Sequence, residues 1–471
     1  MKEKSIPFIA LVLTLLSYLP LQAEHVNVEK AEKTARSYAR TKPRLTARKN
    51  FHLSRTISRP VMRNHPGLRN AQQEEEPMYY VFTMNDEGGF IVVSGDDVAK
   101  PVLAYSDEGT FDESNPNLSY WMETLAQEIA GAIENNVSQD PKTKEAWATF
   151  DSETTAPVPL RSSGDYIDPL VKTKWNQGAP YNNLCPMISD KRTVTGCVAT
   201  AMAQIMKYHD HPTSRTVTIP GYTTGNVNIP AIDGITNYDW NNMSNTYTTS
   251  STGAPANAVA TLMYHCGVSV EMNYQTSGSG AYSSDVVPAL KTYFGYDAGI
   301  TYRDRNYYTY ADWINLLKTE IRANRPVYYG GNGSGGGHAF VCDGYDTDDL
   351  FHFNWGWGGS SDGYFEVSAL NPNAIGTGGG SGGYNYDQEI ITGIQPSTGS
   401  VEQSVIQLGL STVSADKASL TTLTESFSVK ATKLMNIGDI TIESAYLGVL
   451  LCNQDGSYRN HQTLKKTMGL P

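Results

Sequence analysis

The hydrophobic and polar positions along the chain change character several times, and each change suggests a boundary. An apolar run from Ile6 to Leu19 follows Lys2 and Lys4 and leads to Leu21-Gln22-Ala23. A positive start, a short apolar stretch and a small-residue site predict a cleaved export signal rather than a membrane span. From Glu24 to about Asn70 the chain is polar and basic, and it reads as a loosely ordered, solvated arm with one helix over Ala31–Ala39. "MYYVFTM" and "GFIVVSG" then read as two strands joined by a hairpin at Asn85–Gly89, with "PVLAYS" as a third. "NLSYWMETLAQEIAGAIENN" has apolar residues at helical spacing, with Asn117 or Ser119 as its cap. Prolines, serines, threonines and charges between Asp140 and Ser163 predict an exposed linker open to proteolysis. A larger unit follows from about Asp165 to Pro396. Beyond it, "VIQLGLSTVSADKASLTTLTESFSVKATKLMNIGDITIESAYLGVLL" alternates like the start of a β-sandwich and reaches Pro471 without a closing strand, as in a piece of a longer chain. The mixture of helical and strand periods predicts an α+β class.

Composition narrows the options. The 471 residues exceed one ordinary core and imply two or three domains. With 39% hydrophobic and 18% charged residues the chain is globular, and its net charge of −12 argues against a broad nucleic-acid surface. No later segment is apolar enough to cross a bilayer, so the expectation is an extracytoplasmic protein without stable membrane insertion. The five cysteines, Cys185, Cys197, Cys266, Cys342 and Cys452, are odd in number and widely spaced, and no CxxC pair supports a zinc ribbon. The acidic "DTDD" at 346–349 reads as a solvated turn, and no metal or other cofactor is expected.

One cysteine stands out. In "TGCVATAMAQIMKYHDHP", Ala199, Ala201, Ala203, Ile205 and Met206 form a helical run, and Pro212 lies past its end. Cys197 falls in the first turn, where free N–H groups favour a thiolate, and Gly196 permits a sharp approach. A small buried cysteine packing the helix start accounts for the same segment equally well. A nucleophile needs a base. His209 and His211 stand about 18 Å along the helix, at 1.5 Å per residue, and read as helix-end residues. His265 reads as structural. With His25, His52 and His65 before the linker and His461 in the tail, His338 and His352 remain, on the strands "HAFVCDGY" and "LFHFNW" of one hairpin. His338 emerges from the glycine loop "GGNGSGGG", which a substrate backbone could approach, whereas His352 sits mid-strand and reads as a cross-strand structural residue. Asn354, sixteen positions after His338, lies on the returning strand and suggests the group that orients the imidazole. Gln177 in "TKWNQGAPYNN" could add its amide to an oxyanion site beside the Cys197 N–H, although alone it is an ordinary loop glutamine.

Taken together, "WNQGAPYN", "TGCVATAMAQIMKYH", "GVSVEMNYQTSGSGAYSS", "PVYYGGNGSGGGHAFVCDGYD", "FHFNWGWGGSSDGYFEVSALNP" and "GTGGGSGGYN" resemble, in order, the streptopain-type cysteine peptidases, a secreted bacterial branch of the papain-like fold. The resemblance covers most of Tyr166–Pro396. It implies a papain-like α+β catalytic domain with Cys197 as nucleophile, His338 as its partner, Gln177 in the oxyanion hole and Asn354 as the orienting residue. Trp355 would pack beside that pair and share the orienting role. Ser279 and Gly337 match positions that line the substrate cleft. The papain signature C-G-S-C-W is absent, since Cys197 follows Thr-Gly. "GGFIVVSGDD" and "LAYSDEGTF" resemble the propeptide of the same family, which implies a zymogen inhibited by its own N-terminal region. The resulting expectation is a signal peptide over 1–23, an inhibitory propeptide over 24–150, a processing region over 151–165, a catalytic domain over 166–397 and a β-rich region over 398–471. Proteins or peptides would be the substrates. A transglutaminase-like or amidase enzyme on the same fold, and a non-catalytic surface module binding through the C-terminal region, are the competing readings.

Overall fold

The computed structural model describes residues 23–45, 50–63, 72–84, 88–151, 165–333, 336–370, 388–399, 408–417, 427–436, 447–452 and 458–464. Residues 1–22 of the expected export signal and the region 152–164 fall outside these residues. Ten strands form one mixed-origin sheet: β1 (Phe51–Arg63), β2 (Gln72–Met84), β3 (Phe90–Ser94), β4 (Val102–Ser106), β5 (Thr301–Asp304), β6 (Val327–Gly333), β7 (Gly336–Tyr345), β8 (Phe351–Asn354), β9 (Gly363–Phe365) and β10 (Glu389–Thr392). Their order across the sheet is β1-β2-β3-β4-β9-β8-β7-β6-β10-β5. Seven helices accompany it among the described residues: α1 (Val28–Thr41), α2 (Pro116–Glu134), α3 (Pro141–Asp151), α4 (Cys197–His209), α5 (Gly253–Ser269), α6 (Val286–Phe294) and α7 (Tyr310–Arg322). Near the C-terminus β11 (Leu408–Ala415) pairs with β12 (Val429–Asn436), and β13 (Leu447–Cys452) with β14 (Tyr458–Leu464), all antiparallel. No helix among the described residues is long and apolar enough to cross a membrane.

The N-terminal region is not a loose arm. The expected helix extends over Val28–Thr41 and buries Ala31, Ala35, Tyr38 and Ala39. The basic stretch after it becomes β1, antiparallel to β2 at the sheet edge. An edge strand leaves one row of backbone groups free, so it tolerates Pro60 and an exposed polar row that read as disorder in the sequence. The expected linker begins with helix α3, whose Trp147 is 3% exposed and donates from Nε1 to the carbonyl of Ala99 at 2.8 Å. The cap of α2 is Asn115, whose side chain accepts from the N–H groups of Asn117 and Leu118, with Pro116 preset for the first turn. Asn117 is therefore free for another task.

The N-terminal and C-terminal halves share the sheet and a core. Tyr105 and Ala104 of β4 pair with Tyr364 and Phe365 of β9, which makes the sheet continuous. Trp121 of α2 is fully buried against Tyr329, Phe340 and Phe353, and its Nε1 donates to the Glu366 carbonyl at 2.9 Å. A tryptophan set among aromatic rings contributes a large apolar area to the contact. A second core lies on the other face of the sheet, where Ala339, Val341 and Ile391 meet α4 and α5.

Buried charges also cross this junction. Lys42, expected in a solvated arm, is 7% exposed and bonds Asp346 and, at 2.8 Å, Asp348. The "DTDD" turn is thus an anchor for the N-terminal region, not simply solvated. Lys100 reaches Glu366 at 2.7 Å and the Tyr310 hydroxyl at 2.6 Å. Glu128 of α2 is 1% exposed and accepts from Ser368 Oγ at 2.9 Å and the Ala369 N–H at 2.7 Å. Burial pushes its pKa up from the ordinary 4.5 to about 8, against the opposing pull of its hydrogen-bond donors and Lys100. A carboxyl with a raised folded-state pKa contributes stability that is fully present below its ordinary value and lost as pH rises through about 8. Glu128→Gln keeps a neutral acceptor and removes the titration. Urea unfolding at pH 6 and pH 9 is expected to show a smaller loss of stability at pH 9 in Glu128→Gln than in the wild type. Equal losses would show that Glu128 stays ionised.

Candidate active site

Cys197 is the first residue of α4. Gly196 before it has φ +88°, and a Cβ there would lie 2.7 Å from Met272 Sδ and 2.9 Å from the Ser279 carbonyl. Glycine is required by both conformation and space. The N–H of Thr195 donates to the Gln177 carbonyl at 3.1 Å, which brings the Gln177 loop alongside the start of the helix. Gln177 is 7% exposed, and its backbone N–H donates to Asn176 Oδ1 at 2.7 Å. The site therefore unites a cysteine, helix N–H groups and a nearby glutamine.

The surroundings of the sulfur set its ionisation. Burial raises the Cys197 pKa, although N–H groups of Ala339, Val198 and Cys197 itself pull it down. The helix start expected to favour a thiolate is outweighed here by desolvation. The Ala339 N–H brings β7 to the sulfur, immediately after His338.

His338 itself faces elsewhere. Residues alternate across a strand, and β7 pairs with β6 without a slip from Gly336 to Cys342. Ala339 and Val341 accordingly join the core of α4, whereas Phe340 and Cys342 join the core containing Trp121. His338 shares the second face. Its Nδ1 lies 2.9 Å from Asn117 Oδ1, and its ring stacks on Tyr120 with centroids 4.9 Å apart. The Asn117 amide nitrogen donates to the carbonyls of Ala339 at 3.1 Å and Trp355 at 2.8 Å. With the nitrogen so committed, Oδ1 must accept, and the network assigns the proton of neutral His338 to Nδ1. Burial lowers the His338 pKa. Cysteine and histidine are both biased toward their neutral forms, and no hydrogen bond joins them among the described residues. Asn117 and Tyr120 lie one turn apart on α2. Sequence reasoning considered Asn117 only as a cap, and nothing in its local pattern marks it as a partner for a residue 221 positions away.

Asn354 does not face His338. It stands opposite Val341 on β7, and it is 2% exposed. Its Nδ2 donates to the Thr173 carbonyl at 2.6 Å, and its Oδ1 accepts from Gln204 Nε2 at 3.0 Å and the Gly356 N–H at 3.1 Å. These bonds occupy the amide that the spacing had assigned to the imidazole. Trp355 does not pack beside the cysteine–histidine pair either. Its fully buried ring meets Phe340, Phe353 and Phe365, and its Nε1 donates to the Ser361 carbonyl at 2.9 Å. The large ring is drawn into the aromatic core shared with Trp121. Only the Trp355 carbonyl touches the Asn117 network.

Ser279 is 6% exposed, and its hydroxyl donates to the Val194 carbonyl at 2.7 Å and accepts from the Gln275 N–H at 2.9 Å. The side chain is committed to the loop before Gly196, and its backbone carbonyl borders that glycine. Gly337 is exposed, paired with Asn332 on β6, and adjacent to His338. His352, His209 and His265 are structural. His352 lies 2.6 Å from the buried Asp343, which overcomes burial and raises its pKa. Burial lowers His209 and His265 to about 4.

Comparison with known proteins identifies the family of the chain. Residues 175–365 match the model of the peptidase C10 family, and residues 23–129 match that of the Spi protease inhibitor. The chain is 38% identical over 337 residues to streptopain of Streptococcus pyogenes, a match covering 67% of this chain and 80% of streptopain. It is 35% identical over 399 residues to the thiol protease/hemagglutinin PrtT of Porphyromonas gingivalis. That match covers 83% of this chain but 44% of PrtT, so the chain spans less than half the length of this relative. Among solved structures, a fragment of Prevotella intermedia prointerpain A carrying a cysteine-to-alanine mutation is 34% identical with a TM-score of 0.54. It covers 72% of this chain and 99% of that fragment. A mixed helix and antiparallel-sheet fold, a cysteine at a helix start and an inhibitor-like N-terminal region thus place the chain in the peptidase C10 family of cysteine proteases.

Proposed function

We propose that the protein is a secreted cysteine endopeptidase made as a zymogen, in which the N-terminal region holds the catalytic histidine away from its cysteine. The observation that carries this reading is the contact of Asn117 with His338, which occupies the imidazole nitrogen from a region similar to a protease inhibitor. In this reading residues 24–150 are the inhibitory propeptide and residues 166–397 the catalytic domain, with cleavage between 151 and 165. The apolar N-terminal run supports export. In this reading residues 398–471 are an extension whose described parts are the β11–β12 and β13–β14 pairs.

The mechanism follows from the groups at the helix start. Departure of α2 frees His338 to turn toward the sulfur beyond Ala339. The imidazole takes the thiol proton, and the sulfur attacks the scissile carbonyl of a protein or peptide substrate. The Cys197 N–H and the Gln177 amide receive the developing oxyanion. The imidazolium protonates the leaving amine, and water, activated by the same histidine, resolves the thioester. Ser279 and Gly337 border the cleft on either side of the reacting pair.

Purified precursor incubated with and without a thiol reductant tests the reading. With reductant, N-terminal sequencing is expected to find a new terminus between 151 and 165, together with hydrolysis of an unstructured protein substrate. A precursor that stays intact and inert under both conditions, even after limited cleavage of that region by an added protease, would overturn it.

A further inference from the structure

We propose that Gln204 is a positioning residue of this peptidase, fixing the oxyanion-binding Gln177 loop against the nucleophile helix. This rests on the function proposed above. Gln204 lies two turns after Cys197 on α4 and is fully buried within an alanine- and methionine-rich run. An amide in such surroundings is costly unless it is hydrogen-bonded. Its Oε1 accepts from Thr173 Oγ1 at 2.9 Å and the Trp175 N–H at 3.3 Å. Its Nε2 donates to Asn354 Oδ1 at 3.0 Å, and Asn354 Nδ2 returns to the Thr173 carbonyl at 2.6 Å. Three segments distant in sequence thus close a ring of hydrogen bonds around one side chain. A further bond, from the Gly358 N–H to the Trp175 carbonyl at 2.8 Å, clamps the tryptophan loop to the same segment.

The geometry identifies what the ring controls. Trp175 is two residues before Gln177, and the Gln177 carbonyl is bound by Thr195, two residues before Cys197. The loop that would carry the oxyanion donor is held at one end by Gln204 and at the other by Thr195. The ring also includes the Asn354 amide while His338 is held on Asn117. Gln204 touches no reacting atom, so its effect passes through Gln177.

The test uses the processed enzyme, with active sites counted by a thiol-directed epoxide so that unfolded molecules do not enter kcat. Gln204→Met keeps side-chain length and removes the polar partners. It is expected to lower kcat per titrated site by roughly tenfold with little change in KM, a fraction of the loss from deleting an oxyanion donor. In a Gln177→Ala background the same substitution is expected to change kcat by less than about twofold, because interacting sites are not additive. Thr173→Val, which removes one bond of the ring without altering the helix, is expected to give a smaller loss with the same dependence on Gln177, and it serves if the Met variant does not fold. Unchanged kcat per site in both variants, or losses of equal size with and without Gln177, would overturn the proposal. A wild-type enzyme that neither labels at Cys197 nor cleaves peptides would overturn the underlying function, and this proposal with it.

Discussion

Cys197→Ala is expected to remain a full-length precursor and to hydrolyse no peptide, even after its N-terminal region is removed by another protease. The thiol is the one group at the start of α4 able to form the covalent intermediate, and the change deletes only a sulfur from a site whose backbone is set by Gly196. Losses of kcat on the order of a millionfold accompany removal of a nucleophile that acts together with its base. Because the alanine fits the helix start, the thermal midpoint is expected to stay near that of the wild type. Gel analysis over time, with a fluorogenic peptide assay, separates loss of chemistry from loss of fold. Self-processing by the alanine variant would require another nucleophile.

Asn117→Ala is expected to have the opposite effect, giving a precursor active without cleavage. The substitution removes three hydrogen bonds, to His338, Ala339 and Trp355. Buried hydrogen-bond partners left unmatched cost about 1–3 kcal/mol each. The Ala339 and Trp355 carbonyls lose their donor whichever way the imidazole turns, so only the lost His338 bond bears on that balance; about 1–1.5 kcal/mol shifts it toward a free imidazole by roughly tenfold. The N-terminal region remains attached through Trp121, Lys42 and the shared sheet, so latency falls without dissociation. Peptide turnover by the uncleaved variant, compared with the uncleaved wild type, measures the gain. Equal inactivity of the two precursors would place the block elsewhere in α2, with Tyr120 as the next residue to replace.

Local signals carried much of this molecule. Gly196 followed by an alanine- and methionine-rich run marked α4 with Cys197 at its start, and the two runs flanking "DTDD" marked the hairpin of β7 and β8. Both depend on near neighbours. Asn354 stands away from the imidazole held by Asn117, because register places it opposite Val341, and a count of sixteen residues does not show which strand face a side chain takes. Lys42, β1 and α3 were hidden because their polar residues are stabilised by partners far along the chain, such as Asp346, β2 and Ala99. Asn117 and Gln204 were illegible for the same reason. A buried amide in a helix declares its role only through the backbone and side chains brought to it.

The most direct measurement is the rate at which a thiol-directed epoxide labels Cys197, read by peptide mass spectrometry, in three forms: wild-type precursor, Asn117→Ala precursor and processed enzyme. In the precursor, burial favours the neutral thiol and neutral imidazole, so labelling is expected to be slow. It is expected to rise roughly tenfold in Asn117→Ala and further in the processed enzyme, while the buried Cys185, Cys266 and Cys342 stay unmodified. Equal rates in all three forms, or modification of Cys185, Cys266 or Cys342 in place of Cys197 in the processed enzyme, would contradict a latent Cys197–His338 pair held apart by Asn117.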